Sequence, residues 1–478
     1  MKAVIVLLAG ALFFSGCAVG PNFYPPKTEV DAAFGNGNQT NLSAGAAAIT
    51  WWRAFNDNLL NELVAQAIAT NQDLTIATAR VREARALHTA AISDALPIVE
   101  ANAGYTKSLS SKDSTPVPLT REQRELQLFT AGFDATWELD IFGGVRRSIQ
   151  AASAQIARTE ANRQDVLISL ISEVARNYFE LRGQQDLLAV ARRNADNQQE
   201  TLDLTISKLK AGRATELDTS QARAQVNATL AAIPAIEAAI QRSIHRLSVL
   251  SGQQPMALQA RLTASAPIPA LPPLVNIGNP ADLLRRRPDI RAAEWSLAAA
   301  TARIGVATAA LFPRVFFNGN IGLAANNLGS LGQTGNETYS FGPQITWAAL
   351  DLGHVSARIR AARASADAEL AAYEKTVLIA LEETENALVD YGHEHVRRDY
   401  LRESARSAAK ALALAQQRYS GGISDFLPVL DAERTQLDIQ AQLAQSEART
   451  ATSLVAVYKA LGGGWEIDQR QPGTQEIR

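Results

Sequence analysis

Two hydrophobic rhythms divide the chain. From Phe133 to Ile141 the apolar residues Phe133, Ala135, Trp137, Leu139 and Ile141 alternate with Asp134, Thr136, Glu138 and Asp140, the period of a strand with one apolar and one strongly polar face. Phe341, Ile345, Trp347 and Ala349 repeat the pattern. Strands are therefore expected at about 129–142 and 338–350. Partner strands are expected at about 98–107 and 315–324, each after a proline, Pro97 or Pro313, that ends the preceding helix. Elsewhere the period lengthens. Leu167, Val174, Leu181, Leu188, Ala195, Leu202 and Leu209 recur every seven residues, which demands a partner helix and a left-handed supercoil. Only Gly183 interrupts the run from Val145 to Ala211, and at 1.5 Å per residue such a helix is roughly 100 Å long.

Sliding the sequence against itself shows that both rhythms occur twice. Trp137 falls on Trp347, Gly143 on Gly353, Glu173 on Glu383, Gly212 on Gly422 and Gly252 on Gly462, all at an offset of 210. Upstream the offset is 216, with Asp73 on Asp289, Ala84 on Ala300 and Pro97 on Pro313. The six-residue difference lies between Pro97 and Trp137, where the polar, turn-rich Ser108 to Thr120 marks a loop.

Each copy reads as helix, strand, loop, strand, very long helix, tight turn and return helix. The first repeat covers 57–252, with its long helix at 145–211 and return helix at 216–250. The second covers 280–462, with a long helix at 354–420 and a return helix at 425–461. Gly212, and Gly421 with Gly422, suit the left-handed ends of the long helices. Thr215 and Ser424 suit the N-caps of the return helices, with Asp218 complementing the first helix dipole and Pro428 tolerated early in the second. The return helices are half as long as the outgoing ones, so a second short neighbour is needed for each. Leu59 to Ala95 and Ala281 to Leu311 fit that need.

Four strands per chain are too few to close a barrel, and open edges do not occur in hydrocarbon, so a membrane role requires several chains in one barrel. Asp134, Glu138 and Asp140 would then line a wet lumen. No segment after residue 16 offers about 18 uninterrupted apolar residues, so any crossing uses strands. At the start, Met1 and Lys2 precede an apolar run from Ala3 to Phe14, and Phe14-Ser15-Gly16 leads to Cys17, the single cysteine. This is the pattern of a lipoprotein signal over 1–16, with a thiol positioned to carry diacylglycerol and an acylated N-terminus. The near-balance of 46 basic and 48 acidic residues argues against a nucleic-acid partner. Abundant Ala, Gln, Leu, Arg and Glu favour a mainly helical chain.

Gly16-Cys17-Ala18-Val19-Gly20-Pro21, Trp51-Trp52-Arg53-Ala54-Phe55, Asn71-Gln72-Asp73-Leu74 and above all Leu284-Arg285-Arg286-Arg287-Pro288-Asp289-Ile290-Arg291-Ala292-Ala293-Glu294 together resemble the TolC-type outer-membrane efflux proteins, in the lipidated, NodT-like branch serving resistance-nodulation-division pumps. The resemblance spans nearly the whole chain after Cys17. It implies a homotrimer whose strands form one twelve-stranded barrel in the outer membrane, continued by an α-helical tunnel through the periplasm. Belt segments are expected at 17–56, 253–279 and 463–478. The implied partners are a periplasmic adaptor (membrane fusion) protein docking at the tips, around Gly212, Thr215, Gly421, Gly422 and Ser424, and an inner-membrane pump. The lipid on Cys17 is the expected covalent group, with no cofactor and no enzymatic activity.

For such a duct the implied constriction lies beside the second turn, with Leu427 as an apolar ring, Asp431 as an acidic ring and Tyr419 as a tie between helices. Three copies of Asp431 near one axis would repel and bind cations. Ser424 and Pro428 stand where some relatives carry arginine and aspartate, so fewer bonds hold this mouth shut. Two plainer readings stay open: Asp431 as a solvated residue paired with Arg434, and Leu427 as ordinary core. Arg285 to Arg287 suit carboxylate binding within the fold more than an external patch. His393 and His395, two apart, do not share a helical face, and no metal site is expected. Alternatives to drug efflux are the outer-membrane duct of a protein-secretion exporter and a coiled-coil adaptor lipoprotein without a pore. The latter leaves the duplicated amphipathic hairpins unexplained.

Overall fold

The computed structural model describes residues 18–466 apart from 40, 47, 115, 116 and 118; Cys17 and the tail beyond 466 lie outside the described residues. The chain is mainly helical. In chain order its principal elements are α1 (Asn58–Thr70), α2 (Gln72–Ser93), β1 (Ile98–Leu109), β2 (Glu125–Leu139), α3 (Gly144–Lys210), α4 (Glu216–Leu250), α5 (Pro280–Arg286), α6 (Pro288–Ala309), β3 (Arg314–Ala325), β4 (Glu337–Thr346), α7 (Leu352–Ser420) and α8 (Leu427–Ala460). Its residues form two compact units.

The first unit, containing Arg80–Glu160 and Ala292–Glu374, is built on one antiparallel sheet in the order β1-β2-β3-β4. Register assigns the faces, because paired residues share a side. Val99, Ala101, Ala103 and Tyr105 pair with Ala135, Phe133, Ala131 and Phe129. Phe133 and Trp137 in turn pair with Ile321 and Phe317, which pair with Tyr339 and Pro343. That face is apolar over these rows and turns polar only at the loop end, where Lys107, Gln127, Glu125 and Glu337 lie. The opposite face carries Glu100, Asn102, Asp134, Thr136, Glu138, Asn318, Asn320, Gln344 and Ser340. Two cross-strand pairs lie there at duplicated positions: Asn102 donates to Asp134, and Asn318 to Gln344 at 2.7 Å.

The duplication is visible in bonds as well. Trp137 Nε1 donates to the Ala95 carbonyl at 2.9 Å, and Trp347 Nε1 to the Leu311 carbonyl at 3.0 Å. Each indole thereby satisfies a carbonyl just past the end of the helix before its hairpin. The second strand of the first hairpin runs four residues further back than expected, at Glu125, because it stays paired up to Leu109. It stops at Leu139 rather than 142. There the Asp140 carboxylate accepts from the backbone of Val145 (3.0 Å) and Arg146 (2.9 Å) and so starts the next helix.

In the second unit, which contains Ala161–Arg291 and Lys375–Arg478, the core is aromatic. Trp51 stacks on Tyr458 at 5.1 Å, and Phe55 packs on Phe179 at 4.8 Å. Tyr178 donates to Asp57, the N-cap of α1, at 2.7 Å, and burial together with that carboxylate pushes its phenol up to about 12. Heptad positions Leu167, Val174, Leu181, Ala195 and Leu202 are buried. At Gly183 α3 does not break, since the residue serves a close approach: a Cβ there would lie 2.4 Å from Ala448 Cβ of α8.

One expectation needs correcting. Leu59 to Ala95 and Ala281 to Leu311 are each interrupted, at Asn71 and Arg287, which occupy equivalent places in the two copies. Both adopt extended backbone, ψ 135° and 123°. Asn71 Oδ1 accepts from the backbone of Asp73 (2.9 Å) and Leu74 (3.1 Å) and begins α2. Arg287 is held extended by the proline after it.

Candidate functional site

The two helical turns lie in the second unit and match in their first half. Gly212 N donates to Leu209 O and Arg213 N to Lys208 O; Gly422 N donates to Tyr419 O and Ile423 N to Arg418 O. This double closure places Gly212 at φ 71° and Gly422 at φ 74°, where a residue with a Cβ is strained. Gly421 does not share that conformation.

The second halves differ. Thr215 and Asp218 form a reciprocal capping box, with Thr215 N donating to Asp218 at 2.8 Å and Asp218 N to Thr215 Oγ1 at 3.2 Å. Ser424 caps nothing: its hydroxyl reaches the Asp425 carbonyl at 3.3 Å. The return helix starts two residues later than expected, at Leu427, with Phe426 in the N-cap position and no side-chain cap. Phe426 is buried against Tyr419, 5.5 Å between ring centres. Burial of that ring, not a polar cap, sets where α8 begins.

Tyr419 is buried, its hydroxyl bonded to Thr205 of α3 at 3.3 Å and its ring covered by Lys208 Nζ at 3.9 Å. It joins α7 to α3. Leu427 is 55% exposed, so the ordinary-core reading fails for it. Asp431 is exposed too, while Arg434 turns away to Gln225 at 2.9 Å and forms no ion pair with Asp431 among the described residues. Leu427 and Asp431, one helical turn apart on α8, thus present an apolar and an acidic side chain to solvent.

Glu433, a residue the sequence did not single out, lies on the buried face of the same helix at 3% exposure, beside Val429 and Leu430. It accepts from Thr201 of α3 at 2.7 Å. Burial pushes its carboxyl up from the usual range, with the hydrogen bonds from Thr201 and Gln416 acting the other way.

The arginine run pairs with carboxylates of its own chain, with Arg285 exposed and Arg287 buried. Arg285 pairs with Asp282 at 2.7 Å and Arg286 with Glu466 at 2.8 Å. Arg287, 8% exposed, holds Asp289 at 2.6 Å and Glu383 at 2.7 Å and donates to the Ala460 carbonyl at the end of α8 at 3.1 Å. His395 meets Arg398 at 3.2 Å, and burial with that cation lowers its ring pKa.

A sheet apolar on one face and polar on the other, joined in sequence to helices of 67 and 69 residues, defines a strand-and-tunnel membrane channel subunit. The chain matches the profile of the family described as outer membrane efflux protein over residues 63–253 and 279–463, and it belongs to that family. The matched stretches start 216 and end 210 residues apart, the same two offsets as the internal repeat. Nodulation protein T of Rhizobium leguminosarum bv. trifolii is 33% identical over 95% of this chain and 96% of its own length. Toluene efflux pump outer membrane protein TtgI of Pseudomonas putida is 31% identical over 98% and 100%. Among solved structures, the outer-membrane channel OprN superposes with a TM-score of 0.89 at 40% identity, covering 94% of this chain and all of that one. The open-state MtrE channel of Neisseria gonorrhoeae gives 0.83 at 28%, covering 94% and 99%.

Proposed function

We propose that this outer-membrane efflux protein is the passive exit duct of a tripartite pump, working as a homotrimer. The observation that carries the trimer is the pair of unused sheet edges. β1 and β4 each have one neighbour, and the sheet's apolar face can be buried only in lipid. Strand edges in hydrocarbon must be paired, so β4 of one copy joining β1 of the next is the arrangement that removes them, with three copies giving about twelve strands. The polar face then lines water. Diacylglycerol and an acyl chain on Cys17 anchor the N-terminus in this reading. A periplasmic adaptor meets the turns around Gly212, Thr215, Gly422 and Ser424, and a pump of the resistance-nodulation-division type supplies the energy.

Mass measurement of the full-length protein in lipid nanodiscs, with end-on electron microscopy, tests this. Hollow threefold particles are expected; solid or monomeric rods overturn it.

A further inference from the structure

On α8 the residues Val429, Leu430, Glu433 and Gln436 all face inward, so a carboxyl occupies a core position of the helix that carries Leu427 and Asp431. The groups bonded to it are polar but uncharged: Thr201 of α3 donates to it at 2.7 Å. The other buried polar side chains on the same stretches of α3 and α4, Gln198, Thr205, Gln225 and Thr229, are uncharged as well. Gln416 of α7 is bonded to the same carboxyl. The ionisable groups of the neighbourhood are directed elsewhere or have the wrong sign. Lys208 on α3 serves the ring and carbonyl of Tyr419; Arg434 on α8 serves Gln225; Asp431 is exposed. Glu200 on α3, itself an acid, lines with Thr201, Gln416 and Tyr419 a cavity of about 370 Å³. Among the described residues, a charge at Glu433 has no cation to meet.

The hydroxyl geometry also serves the neutral acid. Thr201 Oγ1 has one proton and two acceptors in reach, Glu433 at 2.7 Å and the Asn197 carbonyl at 3.1 Å. If Glu433 keeps its proton it can donate to Thr201, leaving the Thr201 proton for Asn197, and every group is served. When Glu433 ionises, Thr201 must turn to it, Asn197 loses its side-chain donor, and a buried carboxylate remains with hydrogen bonds but no counter-ion.

We propose that Glu433 is a proton-controlled positioning residue: protonated, it holds the start of α8 against α3 and α7; ionised, it weakens that packing and frees the helix carrying Leu427 and Asp431. The link to a channel mouth rests on the duct reading above. The sign follows from burial. A raised carboxyl pKa means that the packing is fully held below the ordinary glutamate range and lost as pH rises through the raised value. The neighbouring cavity is lined by Thr201 and Gln416, the two residues bonded to the carboxyl.

Segment-resolved hydrogen exchange on the full-length protein in nanodiscs, corrected for the intrinsic pH effect, reads this directly. Between about pH 5 and 8, protection of 427–440 should fall by up to about tenfold per pH unit, while Glu433→Gln keeps its protection across the range. Segment resolution separates Glu433 from Asp165 and Asp186, whose carboxyls burial also raises. A wild-type profile flat in pH, or one that E433Q reproduces, overturns the proposal, and the wild-type arm holds even if the variant folds poorly. Bilayer currents recorded in parallel keep the two readings apart. Currents insensitive to pH, with exchange still governed by Glu433, leave the proton-controlled packing standing and remove its link to a mouth.

Discussion

Replacing Arg287 tests how the start of α6 is fastened to α7 and α8. Its guanidinium joins three elements: Asp289 at the start of α6, Glu383 in α7 and the last carbonyl of α8. Two charge-assisted contacts at about 1.5–3 kcal/mol each and one bond to a carbonyl set the gross loss. Two effects reduce it. Glu383 is half exposed and Asp289 a third exposed, so neither carboxylate is stranded, and removing a buried guanidinium returns its desolvation cost. Arg287→Met should therefore cost about 2–3 kcal/mol, and Arg287→Lys about 1 kcal/mol, because an ammonium cannot reproduce the planar fork. Local opening free energies for 288–294, from hydrogen exchange of the assembled protein, measure both. A methionine variant within about 0.5 kcal/mol of wild type, or a lysine variant indistinguishable from wild type, refutes the reasoning.

Three further outcomes follow from the site and its scaffold. Asp431→Ala should raise ion leakage through reconstituted channels and weaken block by multivalent cations; unchanged conductance and block would remove Asp431 from the constriction. Gly183→Ala should destabilise the α3–α8 contact by about 1–3 kcal/mol through its clash with Ala448, and Ala448→Gly in the same chain should recover most of that loss in thermal unfolding. Thr215→Ala should cost about 1 kcal/mol of local stability at the first turn, whereas Ser424→Ala should change nothing measurable by hydrogen exchange at the second.

The repeat, the hairpin strands and the long rods were legible because each rests on periodicity, and periodicity survives in one dimension. Interruptions were harder. Arg287 stands before a proline, a local signal of a break; at its counterpart Asn71 the only local signal is a residue type that favours caps, and its role is settled when the amides of Asp73 and Leu74 meet its side chain. Ser424 looks like a cap by residue type, yet Phe426 decides the helix start because its ring has Tyr419 to bury against. Glu433 reads as one more polar position between Ala432 and Arg434; its burial arises from the convergence of three helices and leaves no mark in the spacing. Asp431 and Leu427 came from resemblance, and the structure adds that both face solvent.

The two turns were described as alike in closure and unlike in capping, and that contrast bears on symmetry. A trimer of duplicated chains is nearly sixfold, since each chain supplies the same motif twice. In the proposed trimer, what would lower it to threefold at the tips is one missing capping box: Thr215 and Asp218 clasp every odd turn, and among the described residues no side chain caps the return helix of the even ones. Movement confined to the even turns would pass from six near-equal neighbours to two alternating sets of three, so an iris built this way needs only half of its blades to be mobile.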